Sequence, residues 1–71
     1  MRKGDVVQVT YEGRTVEATV LLASSNGRSL FLEFDALLGG YAGTMPVLQD
    51  GTQPHRYRDL VTGRRVEVQP L

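Results

Sequence analysis

His55-Arg56-Tyr57-Arg58 is the stretch of this chain whose side chains could do the most chemistry. Arginines flanking a tyrosine can contact phosphate while the ring stacks on a base. Arg64-Arg65 could extend such a surface, particularly if Arg28 and Arg14 lie nearby. Extended backbone would put His55 and Tyr57 on one side and Arg56 and Arg58 on the other. The same residues therefore also read as a core or rim tyrosine between solvated arginines paired with Asp50, Asp59 or Glu67. For Arg64 and Arg65 the plainer reading is a cross-strand pair with Glu17 or Glu33, worth roughly 0.2–1 kcal/mol.

Glu33 and Asp35 with His55 have the groups for acid–base catalysis, yet nothing in their spacing brings them together. No Gly-x-Ser-x-Gly nucleophile motif occurs. A 71-residue chain has little volume for a pocket of the usual size, about 300–1,000 Å³, so catalysis would need a site shared between subunits. The expectation is a protein that is not an enzyme. With no cysteine and a single histidine, zinc would have to be held almost entirely by carboxylates, an unusual ligand set. No metal and no cofactor are expected.

A second constellation runs Leu37-Leu38-Gly39-Gly40-Tyr41-Ala42-Gly43-Thr44-Met45-Pro46. Glycines that open the backbone to a ligand, beside Tyr41 and Met45, could form a partner-binding surface. The alternative is a loop whose apolar residues close one end of a barrel. The glycines match neither the phosphate loop, which needs Gly-Lys-Ser/Thr, nor the dinucleotide fingerprint.

The elements that must position these groups are short and extended. Val7, Val9 and Tyr11 share a face opposite Gln8 and Thr10; Val16, Ala18, Val20 and Leu22 alternate with Thr15, Glu17 and Thr19. Asp5 to Leu22 thus predicts a β-hairpin turning at Tyr11-Glu12-Gly13-Arg14. Val16, Val20 and Ala23 also fit a helical face, but the β-branched Thr15, Val16, Thr19 and Val20 favour a strand. Asn26-Gly27 marks the next turn, and Ser29 to Phe34 a third strand with Leu30, Leu32 and Phe34 inward. Leu21 and Phe31 are then left on the outer face, to stack across the sheet or to line a subunit contact.

Asp35 to Leu38 could be a single helical turn stopped by Gly39-Gly40. Thr44 to Leu48 reads as extended, with Pro46 favouring a sheet edge, and Asp50-Gly51 as a turn. Leu60-Val61-Thr62-Gly63 could be a short 3₁₀ turn before a last strand, Arg64 to Gln69, with Val66 and Val68 inward. No repeat, low-complexity tract or linker interrupts residues 1–71, which read as one domain. Five short strands predict a small barrel, because closure removes exposed edges.

Eight basic and eight acidic residues give zero formal charge, which removes the long-range attraction a general nucleic-acid binder uses. Seven of the basic residues are arginine, suited to bidentate recognition of carboxylate or phosphate. Met1-Arg2-Lys3 is followed by no apolar segment of the kind a signal peptide needs, and the uncharged stretch from Ala36 to Gln49 is too short to span a bilayer. These features and the lack of cysteine predict a soluble, cytoplasmic protein that does not engage membranes.

The pattern resembles an SH3-like barrel. The carriers are Gly4-Asp5-Val6-Val7-Gln8-Val9, the Glu12-Gly13 turn, the Asn26-Gly27 hairpin, and Asp59-Leu60-Val61-Thr62-Gly63 before a terminal strand. The opening is also similar to the KOW motif of ribosomal and transcription proteins, although Ala18 stands where that motif usually has glycine. Signalling SH3 domains hold proline-rich peptides on a surface that includes a tryptophan, and this chain has none.

The sequence thus predicts an all-β, five-stranded SH3-like barrel acting as a non-catalytic module that docks a protein partner or a second copy of itself. The residues expected to carry this are Leu21, Phe31, Leu37, Leu38, Gly39, Gly40, Tyr41 and Met45. Nucleic-acid binding through Arg56, Tyr57, Arg58, Arg64 and Arg65 is the alternative, and an enzyme with a site between subunits the third.

Overall fold

In the computed structural model, which describes residues 1–71, six strands follow one another: β1 Val6–Tyr11, β2 Arg14–Ala23, β3 Ser29–Leu38, β4 Tyr41–Gln49, β5 Arg56–Asp59 and β6 Arg65–Pro70. Each pairs antiparallel with the next, and β6 pairs back on β1, so the sheet closes into a barrel with no free edge. The inward residues alternate as strand periodicity requires: Val7, Val9 and Tyr11 on β1, Ala18 and Val20 on β2, Leu30, Leu32 and Phe34 on β3, Val66 and Val68 on β6. No helix is present, and so none is long and apolar enough to cross a membrane.

The barrel has six strands rather than the five expected. The additional strand, β5, escaped the sequence pattern because its inward residues are Tyr57 and Asp59, and a buried aspartate does not read as core. The expected 3₁₀ turn at Leu60–Gly63 is absent; Leu60–Thr62 form a turn organised by Asp59 instead.

Asp35 to Leu38 is extended, not a helical turn. β3 continues to Leu38, which pairs with Tyr41 across a two-residue hairpin. Gly39 and Gly40 have φ of 55° and 90°, the positive values that a turn matching the twist of its strands demands. The glycine pair therefore turns two strands into each other and lengthens both.

A bulge lies in β2. Val20 faces Leu32, but Leu22 faces Phe31, so one extra residue, Leu21, sits between the two pairings. The shift reverses the side-chain alternation beyond it: Leu22, expected inward, is 60% exposed, and Ala23 packs against the core.

Candidate functional site

The functional groups of the sequence divide among the barrel interior, its arginine-bearing side and its longest sheet face. In the interior, the carboxylate of Asp59 is buried and fully partnered. Tyr11 Oη donates to Oδ2 at 2.7 Å and Tyr41 Oη to Oδ1 at 2.7 Å. The N–H groups of Val61 and Thr62 reach Oδ1 at 3.0 and 2.5 Å, and Thr62 Oγ1 donates to Oδ2.

Burial alone would push the Asp59 pKa up. The side-chain and backbone hydrogen bonds of Thr62, and then those of Tyr11 and Tyr41, override it and hold the carboxyl well below the usual carboxylate range. Tyr41 is driven the other way, to about 12, by desolvation first and by its bond to Asp59 second. Desolvation likewise raises Tyr11. The two rings meet edge to face, with centroids 6.1 Å apart, and Gly39 lies so close to Tyr11 that a Cβ there would overlap the ring. This cluster ties β1, β4 and β5 together and consumes every donor around the carboxylate.

These positions correct part of the expected partner surface. Leu38 and Met45 are completely buried, so they fill the core and cannot meet a partner. Tyr41 is half-buried and committed to Asp59. Gly39 and Gly40 form the exposed turn between β3 and β4. Leu37 remains outside, 66% exposed.

On the arginine side, β5 and β6 present Arg56, Arg58 and Arg65 outward, while Tyr57 is buried and its hydroxyl donates to Gly27 O at 3.1 Å. That ring is therefore not available to stack on a base. Arg58 pairs with Asp50 at 3.2 Å and donates to Gly63 O; Arg64 pairs with Glu12, not with the expected Glu17 or Glu33. Arg56 lies directly across from Glu67. His55 is exposed and far in register from Glu33 and Asp35, and no three acidic or imidazole side chains converge in a way that could hold a metal ion.

The longest face is the outer side of β2, β3 and β4. Its cross-strand register sets Leu22 beside Phe31 and Phe31 beside Pro46, an apolar row in which Phe31 is half-buried and Leu22 open to solvent. A 490 Å³ groove lies along this row. Leu21 adjoins it at the bulge, and Leu48 lies two residues beyond Pro46 on the same side.

The next row is polar, with Thr19 opposite Glu33 and Glu33 opposite Thr44. There β3 sets Phe34, Asp35 and Ala36 against Gly43 alone, and pairing of β2 with β3 stops at Ala18 and Phe34. The strands part, Arg14 Nη1 bridges to Leu37 O at 2.7 Å, and a 580 Å³ groove opens, edged by Glu17, Glu33 and Asp35. None of these carboxylates has an ion-pair partner.

The sequence reading picked out Leu21 and Phe31 but missed Leu22 and Pro46. No local signal announced the bulge that turns Leu22 outward. Asp59 could have been found from Asp-x-x-Thr-Gly, since an aspartate readily accepts from the N–H groups two and three residues on.

Fold and site together define a class: a small, closed, all-β barrel with a buried tyrosine–aspartate latch and an exposed apolar sheet face. The chain matches no protein-family model, no curated protein and no solved structure.

Proposed function

We propose that this protein is an SH3-like barrel serving as a non-catalytic interaction module, with the outer face of β2, β3 and β4 as its contact surface. The observation that carries the reading is the Leu22–Phe31–Pro46 row. Three apolar side chains abreast on a solvent-facing sheet, extended by Leu21 and Leu48, cost solvation free energy until covered, and contiguous patches of this kind mark contact sites. The buried Asp59 cluster favours a structural role for the chain's most perturbed group, because its oxygens are spent on internal donors. A cysteine-free chain suits the reducing cytoplasm, where we place it.

The arginine side supports nucleic-acid binding less well. Its tyrosine is interior, two of its five expected residues are held by carboxylates, and the net charge is zero.

Site-specific photo-cross-linking in cells tests the face. A benzophenone side chain at position 31 is expected to form covalent protein adducts, and the same group at Gln8, on the outer side of β1, is not. Absence of adducts from position 31, or equal yields from both positions, would refute the assignment.

A further inference from the structure

Asn26 is the only asparagine of the chain, and it stands directly before a glycine. That pair holds an electrophile beside a nucleophile: the carboxamide carbon of Asn26 and the backbone nitrogen of Gly27, which no side chain shields. When Gly27 N loses its proton it can attack Asn26 Cγ. The N–Cγ bond forms, the Cγ–Nδ2 bond breaks, and ammonia leaves carrying the proton. Water then opens the five-membered imide at either carbonyl, giving aspartate or isoaspartate.

The β2–β3 turn engages the groups this reaction uses. Gly27 N–H donates to Ser24 O at 2.9 Å. Asn26 Oδ1 accepts from Ser24 Oγ at 2.8 Å and from Arg28 N–H at 3.0 Å, and Ser24 Oγ accepts in turn from Ser29 N–H at 3.0 Å. Deprotonating Gly27 N gives up its bond to Ser24, and bringing Cγ onto that nitrogen rotates the carboxamide away from both its donors. Ser25, Asn26 and Arg28 are exposed, so water reaches the site once the turn opens. No residue between Ser24 and Ser29 belongs to the core; the turn can therefore open while the barrel stays closed.

We infer that Asn26 is a self-modification site gated by local opening of the β2–β3 turn. The closed turn preserves the amide, and each opening exposes it to imide formation. The product is felt beyond the turn. Aspartate retains an acceptor for Ser24 and Arg28 and lowers the formal charge from zero by one. Isoaspartate routes the main chain through the side chain and lengthens it by a methylene just before Gly27. Gly27 O accepts from Tyr57 Oη at 3.1 Å and Arg28 O from Gln49 N–H at 2.6 Å, so isoaspartate loosens the turn from β4 and β5 and aspartate does not.

Incubation in mildly alkaline buffer, followed by intact mass and ion exchange, tests the site. Three hydrogen bonds must open together, and the folded protein should therefore lose its amide at least about tenfold more slowly than the same chain unfolded in guanidinium chloride. This protection should match the hydrogen-exchange protection of the Gly27 amide and fall short of that of the β1 amides, which exchange on global unfolding. Ser24→Ala deletes both bonds of the hydroxyl and should raise the folded-state rate at least about threefold. The purified isoaspartate form should have a lower urea midpoint than Asn26→Asp.

Equal rates in the folded and unfolded chain overturn the inference. Protection equal to that of the β1 amides also overturns it, because the reaction would then belong to the globally unfolded chain. A Ser24→Ala rate that is unchanged, or that rises only in step with β1 exchange, has the same force. An isoaspartate form as stable as Asn26→Asp overturns the coupling to Tyr57.

Discussion

Replacing Asp59 removes the acceptor on which three strands converge. In Asp59→Ala, the hydroxyls of Tyr11 and Tyr41 and the N–H groups of Val61 and Thr62 lose their partner together. Val61 and Thr62 are exposed, so water can replace the carboxylate for them. Tyr11, 1% exposed, is left with only a 3.3 Å contact to Thr62 Oγ1, and Tyr41 reaches water only in part. An orphaned buried donor costs about 1–3 kcal/mol; with two such hydroxyls and the void left by the side chain, the loss is about 3–6 kcal/mol.

A domain of 71 residues has roughly 4–11 kcal/mol of stability at 0.05–0.15 kcal/mol per residue. Asp59→Ala should therefore lose a large share of its stability, and all of it at the lower end of that range. Asp59→Asn keeps the shape and one acceptor but points an amide donor at other donors, and should cost about 1.5–3 kcal/mol, the range of a charge-assisted hydrogen bond.

Urea unfolding followed by far-UV circular dichroism reads both variants. The pH dependence supplies an independent sign. Because folding depresses the Asp59 pKa, its contribution is complete above the unfolded-state pKa of about 3.9 and is lost as pH falls from there through the folded-state value. Wild-type stability should fall along this acid limb, and the limb should be shallower in Asp59→Asn. An Asp59→Asn midpoint within about 0.5 kcal/mol of wild type, the usual range for surface changes, would refute the latch.

Two further outcomes follow from the same cluster. Gly39→Ala adds a Cβ inside the Tyr11 ring at a φ of 55°, so left-handed strain of about 1–2 kcal/mol and overpacking of about 1–3 kcal/mol should appear as a lowered urea midpoint; an unchanged midpoint would show that Tyr11 yields freely. All three tyrosines are raised by burial, Tyr41 to about 12. Their contribution to stability is complete below the unfolded-state pKa of about 10 and drains away as pH rises from there through the raised folded-state values, for Tyr41 about 12. Phenolate absorbance should accordingly appear only above about pH 10 and together with loss of the circular dichroism signal. A normal tyrosine titration in the folded protein would contradict this.

The apolar segment from Leu37 to Met45 shows where sequence reasoning stops. Its composition is equally suited to a barrel plug and to a partner surface. Strand alternation across the Gly39-Gly40 turn divides it, sending Leu38 and Met45 into the core and Leu37 to solvent. The exposed apolar row is built the opposite way, from Leu22, Phe31 and Pro46 on three different strands, whose adjacency depends on register and on one bulge.

Local information was enough for what is local. The two-residue period of β1 and β2, their Glu12-Gly13 turn and the all-β class follow from side-chain alternation and turn chemistry within a few residues. The sixth strand, the burial of Asp59 and the outward swing of Leu22 were decided only in three dimensions. A charged residue goes inside only where distant hydroxyls supply its solvation, and a side chain's face depends on which partner residue its strand stands against. Tyr11 lies forty-eight positions from Asp59, and no window along the chain contains both.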